Sequence, residues 1–478
     1  MTSFQTKLKG EVKMEWIPGH FVAIVGGAVA GSEAAYRLSQ RGIYCAVFEQ
    51  NALPYGKIED GLPMWHVKLR NAEERKIDDK LTQPRVFFVP KAGLGRELDF
   101  HDLVENWGFS AVLLANGAWR DRPLPIPGVD DYVDKGLAYQ NPLVYWFNHK
   151  HEPNYNGPAF DIPDNVLIVG GGLASLDVVK IVMLETVRAA LQARGIATDL
   201  LTLEHDTISK FLQAHNLTLQ ALDLQGCTLV YRRRIIDMPL ADMPPDATPE
   251  RAQIVHRSRE KILHNFQAKY LFRFMELTAP VDKVVEDGRL TGLKLARTEM
   301  KDGRPVILTD TEFIYRTPLV ISSIGSIPEL IPGIAMDGEL YKIRDKETGQ
   351  FEGFANVFGL GNVVTGRGNI KASFDHGRQV AETVMEDFLA WRQEDYEELL
   401  RRGGAVAAQR AESIADFLNT KKLLSVEQIE KIHQRLRRLQ ERTGYDGDYR
   451  GWIARHKPVR YEELIGWQAK NGLEAKHL

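Results

Sequence analysis

The feature that most constrains this chain is a pair of matching units, each an apolar run ending in glycines and then a helix-forming stretch. The first is VAIVGGAVAGSEAAYRL, Val22–Leu38, and the second is NVLIVGGGLASLDVVKIVML, Asn165–Leu184. A further apolar run follows each helix, YCAVFE (Tyr44–Glu49) and CTLVYRRR (Cys227–Arg234), and completes a β-α-β unit. In such a unit the glycines turn the chain tightly at the end of a buried strand. The new helix then begins with free N–H groups aimed at the turn, a place suited to a pyrophosphate. Two such units predict an α/β fold with two Rossmann-like domains and two dinucleotide sites.

The two turns differ in ways that matter chemically. In the first, Gly26 makes the bend and Gly31 lets helix and strand pack closely, but the middle position is Ala28, not glycine. Ala28 to Gly31, including Ala30, form the cradle, and one extra methyl there is a small intrusion. The next strand ends in Glu49, whose carboxylate can accept hydrogen bonds from ribose hydroxyls and would repel a 2′-phosphate. That favours FAD or NAD over NADP. The second turn has Gly170, Gly172 and Ser175, with Leu173 and Ala174 opening the helix. Its following strand ends in Tyr231, Arg232, Arg233 and Arg234. Guanidinium groups pair bidentately with phosphate, so this site is expected to take NADP(H).

Composition removes several function classes. The chain has 478 residues, with 61 Lys+Arg against 64 Asp+Glu, and this balance gives no electrostatic reason to expect nucleic acid or an anionic membrane. The start, MTSFQTKLKGEVKMEW, has no apolar core of a signal peptide, and no run reaches the roughly 20 apolar residues of a membrane span. The two cysteines, Cys45 and Cys227, form no C-x-x-C pair, and a metal or iron–sulfur site usually needs about four ligands. Both lie in strand-like runs and read as buried bystanders of a reducing, cytoplasmic compartment.

Further strands are expected at SAVLLANGAW (Ser110–Trp119), TPLVISSIG (Thr317–Gly325) and ANVFGLGNVV (Ala355–Val364). Asp282–Val306 reads as hairpins turning at Asp287-Gly288 and Asp302-Gly303. From about Gln379 the chain becomes polar and helical. One helix is expected to run to about Arg402, and another to start at Ser425, capped by Gln428, and end near Gly444. The expected division is residues 15–145 with 325–390 as one domain, 146–324 as the second, and 391–478 as a helical extension. The extension reads equally as a packed cover or as a surface for another protein.

With these residues in view, the chain resembles the adrenodoxin reductase family, a ferredoxin–NADP reductase type, and the reductase subunit of bacterial glutamate synthase, over roughly Phe21–Leu389. LPYGKIEDGLPMWHVK (Leu53–Lys68), with Gly56, resembles the segment beside the flavin. VLLANGA, with Ala115 and Gly117, resembles a second FAD motif. YRRRIIDMP and ARTEM are similar to the glutamate synthase subunit, and SSIG followed by IPG to adrenodoxin reductase. GLGNVVTGRGNI (Gly359–Ile370), with Gly361, Asn362, Gly368 and Ile370, sits where the family closes the flavin site, and Asn362 replaces the aspartate of many members. The resemblance implies a glutathione reductase-like fold, FAD at the first site, NADP(H) at the second, and hydride transfer to the flavin. It also implies electron delivery to a ferredoxin-type iron–sulfur protein. Glu59 and His66 lie in the flavin-proximal segment and could relay a proton. An alternative is a reductase subunit or scaffold docked to an iron–sulfur enzyme through the C-terminal helices, and a third is a flavoprotein acting on a small molecule.

Overall fold

The computed structural model describes residues 16–244, 246–366, 368–403 and 418–467. They form two compact units. One comprises the chain up to Ile58, Asn71–Trp119 and Ile327–Lys457; the other comprises Glu59–Arg70, Arg120–Ser326 and the chain from Pro458.

The first unit is built on parallel strands β1 (Phe21–Val25), β2 (Tyr44–Phe48), β3 (Val86–Val89) and β4 (Ala111–Leu114). The sheet order is β3, β2, β1, β4, then Val357–Gly359, with two short antiparallel strands, Gln350–Phe351 and Ile343–Asp345, at the edge. Every residue of β1, β2 and β4 is buried, so both faces are covered, and this is why these strands read as unbroken apolar runs. The chain builds outward from β1 through β2 to β3 and then returns to place β4 on the other side. The β1–β4 boundary is therefore the switch point at which a crevice opens beyond the carboxyl ends of the strands. Helix α1 (Val29–Gln40) crosses from β1 to β2 and packs on the helix Ile370–Thr383. Their contact is backbone-close: a Cβ on Gly377 would lie 2.8 Å from Ala30 O.

The C-terminal helices are not a separate extension. On the helix Val426–Thr443, Ile429, Ile432, Leu436 and Leu439 recur at three- and four-residue spacing and are buried with Phe21, Tyr44 and Phe48. Tyr445, Tyr449, Trp452 and Ile453 complete the core under α1. The capping box of Ser425 and Gln428 forms in both directions, and the helix ends at Gly444 with φ 77°. The single helix expected from Gln379 to Arg402 is instead broken. A π-helical turn, Val384–Phe388, leads to Ala390 at φ 49°, and a new helix begins at Gln393. The break lets Trp391 turn inward, where it is 2% exposed and its Nε1 donates to Arg41 O at 2.9 Å.

The second unit has a five-stranded parallel sheet in the order Leu137–Tyr139, Val320–Ser323, Leu167–Gly170, Thr228–Val230, Arg273–Met275. The helix Leu173–Ala193 packs on it. The expected hairpins join Thr278–Glu286, Arg289–Lys301 and Arg304–Ile307. Both turn residues of each have positive φ (48° and 74°, 48° and 72°), the twist that suits tight hairpins. The division differs from the expected one at three places. The first unit stops at Trp119 and resumes at Ile327, Glu59–Arg70 belongs to the second unit, and 391–457 belongs to the first. The middle difference has a clear cause: Trp65 stacks edge-on against Phe147, with centroids 5.4 Å apart, and lies under the Lys180 ammonium at 4.1 Å.

Candidate functional site

The first glycine turn sits at the switch point. Gly26 has φ 99°, its N–H donates to Phe48 O at 2.7 Å, and a Cβ there would lie 2.4 Å from Ala115 O. A Cβ on Gly31 would lie 1.8 Å from Gly26 O. Both positions are thus steric requirements. Ala28 is extended (φ −72°) and offers no side-chain cap, so α1 opens with its N–H groups unclaimed by a capping side chain. The Ala28 methyl is accommodated from the far side. Gly56 has φ 52°, and a Cβ on it would come within 2.9 Å of the Ala28 Cβ. The glycine missing from the motif therefore reappears on the segment that faces it, a link that spacing alone did not reveal.

Glu49 is 3% exposed and turned back onto this loop. Its Oε2 accepts from Gly27 N at 2.9 Å and its Oε1 from Asn51 N at 3.0 Å. These two bonds fix the orientation of the carboxylate beside the turn.

The second and third motifs of this unit follow β4 and Val357–Gly359, the strands next to β1 on the other side. Gly117 has φ 71°. Tyr341 Oη donates to Glu329 O at 2.8 Å, so it receives the Asn116 Nδ2 donor at 3.1 Å. That sequence of donors fixes the amide orientation and leaves Asn116 Oδ1 buried with no hydrogen-bond partner among the described residues. Asn362 Oδ1 is in the same condition. Gly361, φ 74°, donates its N–H to His376 Nδ1 at 3.0 Å, and a Cβ on it would lie 2.9 Å from that of Ala30. Burial lowers the His376 pKa, which suits an imidazole that accepts this bond. Gly368 lies beside the Asn362 amide, its Cβ position 3.8 Å from Nδ2, and Ile370 opens a helix capped by Asn369 Oδ1. Two orphaned amide oxygens, a cradle that a Cβ would fill and an uncapped helix start together fit a dinucleotide bearing hydroxyl donors.

The second turn is tighter still. A Cβ on Gly170 would fall 2.2 Å from Ser175 Oγ and 2.4 Å from Ser323 O. Ser175 earns its place by bonding across the sheet: its Oγ donates to Ser323 O at 2.9 Å. Gly172 caps the helix without a side chain, and a Cβ there would meet only Pro239 Cγ, at 4.0 Å. Leu173 and Ala174 are exposed at the helix start, so the space above the turn is open. Gly171 is required for a different reason, since a Cβ would strike the Tyr231 ring at 2.2 Å.

The arginine cluster is not uniform. Arg234 is paired with Asp237, Nε–Oδ2 2.9 Å and Nη2–Oδ1 3.0 Å. The guanidinium groups of Arg232 and Arg233 make no ion pair or hydrogen bond with a described residue, and Arg232 is exposed. Two cations therefore stand without a hydrogen-bonded partner among the described residues at the end of the strand beside the turn, the Arg233 charge acting on Asp237 without a bond.

Glu59 does not fit a proton relay. It is buried, and Arg460 holds it bidentately. Burial opposes its charge, but the Arg460 bonds and the charges of Arg460, His149 and Arg70 outweigh that and keep it below the usual carboxylate range. His66 is partly exposed and 3.9 Å from Asp177 on the Leu173–Ala193 helix. Cys45 and Cys227 are both free and buried, and burial raises their pKa values far above the reactive range.

The chain is similar to several known proteins. Residues 20–183 match the family described as pyridine nucleotide-disulphide oxidoreductase. NADPH-ferredoxin reductase FprA of Mycobacterium leprae (strain TN) is 22% identical over 400 residues, 77% of this chain and 84% of that protein. The glutamate synthase [NADPH] small chain of Mycobacterium tuberculosis (strain CDC 1551 / Oshkosh) is 29% identical over 167 residues, 34% of this chain and 33% of the relative. The solved structure of Mycobacterium tuberculosis FprA in complex with NADPH superposes with a TM-score of 0.58 at 20% identity, covering 85% of this chain and 91% of the other, and has the same fold. Among the described residues no helix is long and apolar enough to cross a membrane.

Proposed function

We propose that this chain is an FAD-dependent oxidoreductase that takes hydride from NADPH and passes electrons singly to an iron–sulfur partner of the ferredoxin type. The observation that carries this reading is the contrast between the two strand ends. Glu49, buried at the first turn, suits a bare ribose, whereas Arg232 and Arg233, without a hydrogen-bonded partner among the described residues at the second, suit a phosphorylated one. The relatives named for NADPH-ferredoxin reductase and glutamate synthase support it.

FAD would be held by Gly26, Ala28, Ala30 and Gly31 at its pyrophosphate and by Glu49 at its ribose. Gly56, Ala115, Gly117, Gly361, Gly368 and Ile370 would shape the rest of the cleft. The Asn116 and Asn362 amide oxygens would each take a hydroxyl or N–H donor. Bound there, FAD supplies a hydride acceptor able to release its two electrons one at a time. The chain's own part is positioning: two turns that bring backbone N–H groups to the phosphates, and buried strand ends that keep water from the cleft. Gly170, Gly172, Leu173, Ala174 and Ser175 would seat the NADPH pyrophosphate. A cytoplasmic location accords with the two free, buried cysteines.

The test is the purified protein's visible spectrum followed during anaerobic addition of NADPH to one sample and NADH to another, each then given oxidised ferredoxin. A flavin spectrum bleached faster by NADPH and restored by ferredoxin is expected. A colourless protein that takes up no FAD would overturn the proposal.

A further inference from the structure

The loop that follows the arginine cluster is held by a buried cation. Arg259, on the helix Pro249–Tyr270, is 9% exposed. Its Nη1 donates to Ile236 O at 2.8 Å, and its Nε and Nη2 donate to Ala241 O at 3.0 and 2.8 Å. It makes no ion pair with a described carboxylate. A guanidinium taken out of water and satisfied by backbone carbonyls alone is costly to place, and it ties down both ends of the Ile236–Ala241 span.

That span forms one side of the second turn. Pro239 lies within it and is the nearest group to the open position above Gly172. Tyr231 presses its ring on Gly171 and donates from its hydroxyl to Asp237 O at 3.0 Å. Asp237 binds Arg234 and so removes that cation from the free set. A second tie comes from the sheet: Thr298 Oγ1 donates to Arg232 O at 2.8 Å. The backbone that aims Arg232 and Arg233 is thus pinned at Arg232 O by Thr298 and further along by Arg259.

We infer that Arg259 is a positioning residue for 2′-phosphate recognition: by clamping Ile236 O and Ala241 O it fixes the loop that follows Arg232 and Arg233, and so the direction from which they meet the phosphate. The inference rests on the NADP(H) reading of the second site. Its mark is selective. Loosening the loop weakens chiefly the ligand that carries the 2′-phosphate, because the glycine turn that seats the 5′-phosphate is built from Gly170–Ser175 and meets the loop only through Pro239 and the Tyr231 ring.

The experiment is calorimetric titration of the full-length holoprotein with 2′,5′-ADP and with 5′-AMP. Four proteins are compared: wild type, Arg259→Met, Arg259→Lys and the Arg232→Ala/Arg233→Ala pair. Arg259→Met keeps an apolar stem of similar length and removes the guanidinium donors. It is expected to weaken 2′,5′-ADP about tenfold and leave 5′-AMP within about twofold, with a raised KM for NADPH and not for NADH. Arg259→Lys, whose ammonium can reach one carbonyl at a time, is expected to fall between. Equal weakening of both probes, or none, in Arg259→Met would overturn the inference. If the arginine pair variant also binds both probes as wild type does, the NADP(H) reading falls with it; if that variant alone loses discrimination, the reading stands and only Arg259 is excluded. Should Arg259→Met not fold, Thr298→Val, nearly isosteric and lacking only the Oγ1 bond, carries the test, and unchanged discrimination there overturns the role of loop pinning.

Discussion

Arg460 grips Glu59 with both terminal nitrogens, Nη2 to Oε2 at 2.7 Å, and the two side chains are 6% and 7% exposed. A reciprocal pair lies beside it, Arg70 to Glu462, also buried. Glu59 and Arg70 bound one segment of the second unit, Arg460 and Glu462 another, so each segment gives one cation and one anion to the other. Asn148 Nδ2 adds bonds to Glu59 O and Leu62 O, both 3.0 Å. A buried pair gains little over a well-packed apolar one, but losing one partner strands the other charge. Arg460→Met is therefore expected to lower the unfolding free energy by about 3 to 5 kcal/mol, read from urea midpoints. Adding Glu59→Leu to it is expected to restore much of the loss. A single variant as stable as wild type would mean the pair is not buried in solution.

His149 gives the second unit a stability that depends on pH. Burial disfavours its charge, but hydrogen bonds and charge from Asp60 and Glu152 prevail and raise its pKa from 6.5 to about 9. A raised folded pKa stabilises fully below the unfolded value and is lost as pH climbs through the folded one. Thermal unfolding is expected to show wild type losing stability between pH 6.5 and about 9. His149→Gln, unable to carry the proton, is expected to show a flatter profile across that window. Parallel profiles would remove His149 as the cause.

Ala28 and Gly56 form a matched set. Gly56→Ala would place a methyl 2.9 Å from the Ala28 Cβ at a φ of 52°, so a loss of about 1 to 3 kcal/mol and weaker flavin retention are expected. Ala28→Gly is expected to hold FAD at least as well as wild type. Flavin released on ultrafiltration measures both, and marked loss in Ala28→Gly would show that the methyl itself contacts the cofactor.

The arginines divide by partner. Arg234 is committed to Asp237, so Arg234→Ala is expected to leave the NADPH-to-NADH ratio of kcat/KM nearly unchanged. Arg232→Ala with Arg233→Ala is expected to reduce it by about tenfold to a hundredfold, the worth of one charge-assisted contact or so. The reverse ranking would move the phosphate to Arg234.

Much of this was legible in the sequence because it is local. The two β-α-β units, the hairpin turns at Asp287 and Asp302 and the cap at Ser425 each follow from a few adjacent residues. What lay hidden depends on distant partners. Nothing near Glu59 announces Arg460, and nothing near Ala28 distinguishes Gly56 from other loop glycines. The tail read as a separate extension because its charged faces dominate composition. Its buried stripe, Ile429, Ile432, Leu436 and Leu439, was present but could not say which surface it covers. Arg233 and Arg234 look alike in sequence, but Asp237 hydrogen-bonds only Arg234.

That stripe has a consequence for how the molecule is made. The helix that covers Phe21, Tyr44 and Phe48 is encoded some 400 residues after them, and at about 5 to 20 residues per second the delay lasts tens of seconds. During that interval the apolar face of this sheet has only part of its cover, with Trp107 and Phe109 against Phe48 and Phe21. The strands that carry the first glycine turn therefore reach their final packing only when a helix made some 400 residues after them arrives.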